Sequence, residues 1–79
     1  MNIEEKVLEC QRILYEDNNI EIEPSLEDNF DIEHGINSLG VVNFIVDLED
    51  LTGMDFDNVL GKIRGCSKFR DIVDIIKSM

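Results

Sequence analysis

Seventy-nine residues make one domain near the lower size limit for a self-sufficient core, with little room for an enzyme-sized pocket and a scaffold around it. A hydrophobic content of 43% is ordinary for a globular protein and argues against wholesale disorder. Eighteen acidic residues against seven basic give a formal charge of −11; such a chain repels nucleic acid and anionic membranes and suits proteins with basic patches, although acidity that merely keeps a small domain dissolved is the competing reading.

The N-terminal Met1-Asn2-Ile3-Glu4-Glu5 is acidic and lacks the apolar run of a signal peptide. No stretch approaches the ~20 apolar residues that span a bilayer. Two cysteines, Cys10 and Cys66, form neither a metal-ligand pattern nor a disulfide framework. Cys10 reads as a small core residue and Cys66 as a partly exposed thiol. A reduced, cytoplasmic monomer without membrane attachment is expected.

Residues 2–17 read as an amphipathic helix: Ile3, Val7, Cys10 and Leu14 recur at helical spacing with Ile13 beside them, and Glu4, Glu5, Glu9, Gln11 and Arg12 fall mainly outside that stripe. Asp17-Asn18-Asn19 ends the pattern with turn-favouring residues. Residues 18–36 form a long connection interrupted by Pro24. Its apolar residues Ile20, Ile22, Leu26, Phe30, Ile32 and Ile36 suggest that it is tied onto the core, with a short helical turn near 25–29 capped by Ser25.

A second helix is expected over 38–52, with Asn37 as its cap and Thr52-Gly53 as its stop. A short third helix follows over 57–63 with Asp57 as cap. The last runs over 68–78 behind Ser67, with Phe69, Ile72, Val73 and Ile76 at i, i+3, i+4 and i+7. The expected fold is all-α: a single domain over 1–79, a small bundle of three main helices plus one short one, with the long loop between the first two.

The second helix carries two apolar faces. Val41, Phe44, Ile45, Leu48 and Leu51 make the bulkier one, which should face the core. Leu39, Val42 and Val46 lie opposite, bordered by Asn43, Glu49 and Asp50. A helix apolar all round is normally buried, and a 79-residue bundle cannot easily bury both sides of one. Either loop residues such as Ile20, Ile22, Phe30 and Ile32 cover the second face, or it stays partly open for transient docking. The favoured reading is the open one. Ser38 stands in the first turn, where free N–H groups and the helix dipole favour an anion; the ordinary role of a serine there is capping.

Gly35-Ile36-Asn37-Ser38-Leu39 resembles the attachment motif of acyl carrier and peptidyl carrier proteins: glycine, any residue, aspartate, serine, leucine. Gly53-Met54-Asp55-Phe56-Asp57 resembles the family's turn before its short helix, and Ser67-Lys68-Phe69-Arg70-Asp71-Ile72 the start of its last helix. The resemblance covers essentially the whole chain. It implies a free-standing carrier that is not an enzyme. A phosphopantetheinyl transferase would move a 4′-phosphopantetheine arm from coenzyme A onto Ser38, and the arm's thiol would hold acyl or aminoacyl cargo as a thioester. Loading and synthase enzymes with basic docking patches would meet Leu39, Val42, Val46, Glu49 and Asp50. The pathway stays open between fatty-acid, polyketide, non-ribosomal peptide and other specialised products. Asn37 stands where acyl carriers commonly have aspartate, and Gly40 is a poor helix former in a first turn. Both keep a second expectation in view: a carrier-like adaptor that binds partners without the arm.

Other residues read more plainly. His34 lies four residues before Ser38, but a catalytic pair would need an orienting acid and an oxyanion site, and neither can be named. Asp47, Glu49 and Asp50 lack calcium-loop spacing, so no metal site is expected. Lys62, Arg64, Lys68 and Arg70 make the C-terminal third locally basic, most simply as a solvated surface. Phe44 and Phe69 read as core.

Overall fold

The computed structural model describes residues 2–30 and 39–79, together with the backbone of Ser38. Its elements are α1 (Ile3–Asp17), α2 (Ser38–Thr52), a 3₁₀ turn (Asp57–Val59) continuing into α3 (Leu60–Arg64), and α4 (Phe69–Lys77). The fold is a small all-α bundle in which α1 packs against both α2 and α4. Among the described residues no helix is long and apolar enough to cross a membrane.

Helix α1 starts one residue later than its periodicity suggests because Asn2 is a cap. The Asn2 side chain accepts the Glu5 N–H at 2.8 Å, and the Glu5 carboxylate reaches back to the Asn2 N–H, a reciprocal capping box. At the other end Asn19 adopts a left-handed conformation, φ 57°. Ile20 N–H then reaches the Tyr15 carbonyl at 2.9 Å and Asn19 N–H that of Glu16 at 3.3 Å, which satisfies carbonyls that the helix end leaves unpaired.

The core holds Val7, Cys10, Leu14, Tyr15, Leu26, Phe30, Phe44, Ile45, Leu48, Phe56, Ile63, Phe69, Ile72, Val73 and Ile76. At its centre Phe30, Phe44 and Phe69 meet pairwise with ring centroids 5.1–5.6 Å apart, and Tyr15 meets Phe69 edge-on at 6.2 Å. These aromatics come from α1, the connection, α2 and α4, so they join four parts of the chain. All four apolar positions expected in α4 are buried.

The structure corrects the expected first-helix pattern. Gln11 is fully buried, and Tyr15 is buried one turn further on. A buried amide needs partners, and Gln11 Nε2 finds the Tyr15 hydroxyl and the Ser25 carbonyl, both at 2.9 Å, and Asp28 Oδ2 at 3.1 Å. Tyr15 also donates to Asp28 Oδ2 at 2.8 Å. Burial, then the Asp28 bond, pushes the Tyr15 hydroxyl up to about 12.

This network anchors the first part of the connection. The expected helical turn at 25–29 is a single turn closed by Asp28 N–H on the Ser25 carbonyl at 3.0 Å, with Ser25 Oγ accepting the Glu27 N–H. The next residues are stitched to the start of α4. Arg70 N–H bonds the Leu26 carbonyl at 2.9 Å, Phe30 N–H the Ser67 carbonyl at 2.8 Å, and Phe69 N–H the Asp28 carbonyl at 3.3 Å. Glu27 pairs with Arg70 and, at 3.7 Å, with Lys68.

Two caps also differ from expectation. Helix α4 begins at Phe69 with Lys68 at the cap position, and the acceptor is Asp71 Oδ2, which takes the N–H groups of Ser67 and Lys68 at 3.2 and 3.1 Å. Before α3 the carboxylate that accepts is that of Asp55, which takes the Asp57 N–H at 2.9 Å. In both places a neighbouring acid satisfies backbone donors that the expected cap does not.

Candidate functional site

Helix α2 begins at Ser38 and ends where Gly53 takes a left-handed φ of 70°. Gly53 N–H closes on the Glu49 carbonyl at 2.8 Å. Thr52 Oγ1 donates to the Leu48 carbonyl at 2.7 Å and accepts the Met54 N–H at 3.2 Å, which fixes the exit of the chain.

The inner face is packed as its spacing requires. Phe44, Ile45 and Leu48 are buried, and Val41 and Leu51 pack partly against the core. The opposite stripe is open: Leu39 is 69% exposed, Val42 41% and Val46 48%. At i, i+3 and i+7 they line one side of the helix for two turns from its N-terminus. Of the loop residues that might have covered them, Phe30 lies in the core against Phe44, Ile20 packs partly against the core, and Ile22 is itself exposed. Ile32 lies outside the described residues.

The acids of α2 differ among themselves. Asp50 is exposed, whereas Glu49 is half-buried and accepts the Phe56 N–H at 3.0 Å. Glu49 thus ties α2 to the residue that seals the core ahead of the 3₁₀ turn, a bond that the sequence pattern does not announce. Its carboxylate oxygen also lies within 4.8 Å of those of Asp55 and Asp57. Asp55 and Glu49 each already take a backbone N–H. Helix α2 holds three acids and no lysine or arginine, and none of the acids is in its first turn.

Ser38 is the first residue of α2; its side chain, and Gly35, Ile36, Asn37 and His34, lie outside the described residues. Leu39, Val42 and Val46 share the outward stripe, and Glu49 and Asp50 lie near the far end of the same helix. The thiols stand apart from this surface chemically. Burial pushes Cys10 up to about 12, with Asp47 and Glu9 adding to it. Burial and then Asp71 push Cys66 up to about 11, and its sulfur lies 3.3 Å from the Lys62 carbonyl. Thiols held protonated are poor nucleophiles.

No family model, curated protein or solved structure matches this chain.

Proposed function

We propose that this chain is a carrier protein, with Ser38 as the attachment point of a 4′-phosphopantetheine arm and the outward stripe of α2 as the surface on which partner enzymes dock. The observation that carries the reading is the open row Leu39, Val42 and Val46, which runs back from the residue that begins the helix. An apolar row left unburied on so small a domain needs an occupant. Its position beside an N-terminal serine supports a reading with docking and attachment on one helix.

The first turn of α2 fits an anionic ester. It has no acidic residue to repel a phosphate, and the positive end of the helix dipole favours one. When bound, the arm supplies a thiol that holds cargo as a thioester. The chain's own contribution is to present Ser38 at the helix mouth and to offer Leu39, Val42 and Val46 as a small apolar contact on a helix that holds three acids and no lysine or arginine. Weak apolar contact with long-range attraction gives fast, reversible encounters with basic partners, and a tether raises the local concentration of what it carries. The carrier catalyses nothing. Transferase, loading enzyme and synthase each use the same face in turn, and the setting that fits is cytoplasmic biosynthesis.

The test is incubation with coenzyme A and a promiscuous phosphopantetheinyl transferase, read by intact mass. The chain gains the mass of one arm and Ser38→Ala gains nothing. No gain, or a gain that survives Ser38→Ala, overturns the reading. The open stripe equally supports an adaptor that binds partners without the arm. For an adaptor, Ser38→Ala leaves partner capture intact while Val46→Asp abolishes it.

A further inference from the structure

A second surface shares no residue with the outward stripe of α2. The end of α1 and the first part of the connection enclose a cleft of about 250 Å³ lined by Tyr15, Ile20, Ile22, Glu27, Asp28 and Asn29. Its walls are of two kinds, the apolar Ile20 and Ile22 on one side and the polar run 27–29 on the other. Ile22 is 59% exposed, although every other large apolar residue described between 20 and 30 is buried or half-buried. The walls are also held in place: Asp28 by Gln11, Tyr15 and the Ser25 N–H, Leu26 by the Arg70 N–H, and Ile20 by the Tyr15 carbonyl.

The chain that forms the cleft is mainly acidic, and Glu27 in its wall is already paired with Arg70 and Lys68 from the start of α4. Residues 2–30 contain nine acids and two bases. One base, Arg12, is committed to Glu9 and Glu16 on α1. Glu21 and Glu23 flank Ile22 in the chain, and among the described residues neither forms an ion pair. The hydrogen bonds that the Asp28 carboxylate receives from Gln11, Tyr15 and Ser25 all end on Oδ2.

We propose that this cleft is a second docking site, which receives one lysine or arginine side chain of a partner protein. The aliphatic stem lies against Ile20 and Ile22, and the cationic head meets the Asp28 carboxylate in the field of Glu21 and Glu23. Such side chains bury an apolar stem while keeping a charged head solvated, which matches the two kinds of wall. A purely apolar group would strip water from carboxylates without compensation. The volume lies below the roughly 300–1,000 Å³ typical of small-molecule pockets and suits a side chain better than a metabolite. Nothing in this inference depends on an arm at Ser38.

The experiment is a nuclear magnetic resonance titration of the full isotope-labelled chain with two uncharged-ended tripeptides, Ac-Ala-Lys-Ala-NH₂ and Ac-Ala-norleucine-Ala-NH₂. The lysine peptide shifts the signals of Tyr15, Ile20, Ile22 and residues 27–29. The norleucine peptide, which has the stem without the charge, binds about two- to fivefold more weakly, the factor corresponding to a surface ion pair. Ile22→Ser and the double variant Glu21→Gln/Glu23→Gln each weaken the lysine peptide, and Val46→Asp leaves it unchanged. Shifts spread evenly over all acidic residues, shifts centred on Leu39, Val42 and Val46, or equal binding of the two peptides would each overturn the proposal. The mass test at Ser38 is unaffected by any of these results, so the two readings fail separately.

Discussion

The two sides of α2 are both apolar and have opposite fates. Phe44, Ile45 and Leu48 are sealed against α1 and the aromatic cluster, whereas Leu39, Val42 and Val46 remain in water. Local propensity does not separate them. What does is how much surface the rest of a 79-residue chain can cover, and the larger residues take the sealed side. Stability and recognition can therefore be changed independently on one helix, by choosing which side to substitute.

The largest expected effect breaks the inner side. Phe44→Ala removes one of the three clustered rings and should cost about 3–5 kcal/mol in urea unfolding, a cavity-sized loss. That is a large share of a small domain's stability, so Phe44→Leu, with a smaller loss, provides the measurable intermediate. Val46→Asp on the open side should stay within about 0.5 kcal/mol of the parent protein while removing partner capture. If Val46→Asp unfolds the chain, the stripe is buried in solution and the contrast is lost.

Second comes the polar network that holds the connection. Asp28→Ala leaves the buried Gln11 amide and the Tyr15 hydroxyl without their shared acceptor, at an expected cost of about 1–3 kcal/mol. Asp28→Asn keeps an acceptor oxygen and should recover part of the loss. Amide exchange in residues 26–30 should quicken with it, since that segment is stitched to α4 beside the network. An unchanged unfolding midpoint in Asp28→Ala would show that the network contributes nothing.

Third is a pH effect on the sealed side. Cys10 and Tyr15 are both held protonated in the folded chain, at about 12 against ordinary values of 9.0 and 10.0. Above pH 9 the unfolded chain releases protons that the folded one retains. Stability from these groups is therefore complete below that point and falls as pH rises toward 12, by at most about 1.4 kcal/mol per pH unit for each group. Cys66, raised from 9.0 to about 11, adds to the same decline. In the double variant Cys10→Ala/Cys66→Ala it should begin about one pH unit later, near the ordinary tyrosine value, and urea midpoints measured from pH 7 to 11 read it directly.

What the sequence discloses follows the same division. The buried face of α4 is legible because Phe69, Ile72, Val73 and Ile76 need only one apolar side and a regular period. Both sides of α2 were legible for that reason too, and the end of α1 was announced by Asn18-Asn19. Gln11 was not. A polar residue at a buried position makes sense only through Tyr15, one turn away, and Asp28, seventeen residues on, and the second of these contacts leaves no periodic trace. The expected caps Ser67 and Asp57 give way to Asp71 and Asp55 because more than one side-chain oxygen stands at each start, Ser67 and Asp71 at one and Asp55 and Asp57 at the other, and only backbone geometry selects between them. Glu49 was assigned to the docking surface by its place in the acidic helix, and its bond to the Phe56 N–H was invisible for the same reason as the Gln11 network: its partner is set by how the chain turns after Gly53.

That bond supports the smallest and most discriminating prediction. Glu49 and Asp50 are adjacent acids of one helix with the same expected role toward partners, yet of the two Glu49 alone holds a backbone donor among the described residues. Glu49→Ala should cost about 1 kcal/mol, as for one partly buried hydrogen bond, and Glu49→Gln, which keeps an acceptor, should cost almost nothing. Asp50→Asn should leave stability unchanged. Both charge-removing variants, Glu49→Gln and Asp50→Asn, should slow association with a basic partner and weaken its dependence on salt. If Asp50→Asn alone changes the association rate, the half-buried carboxylate of Glu49 is wholly spent on Phe56, and its negative charge plays no part in recognition.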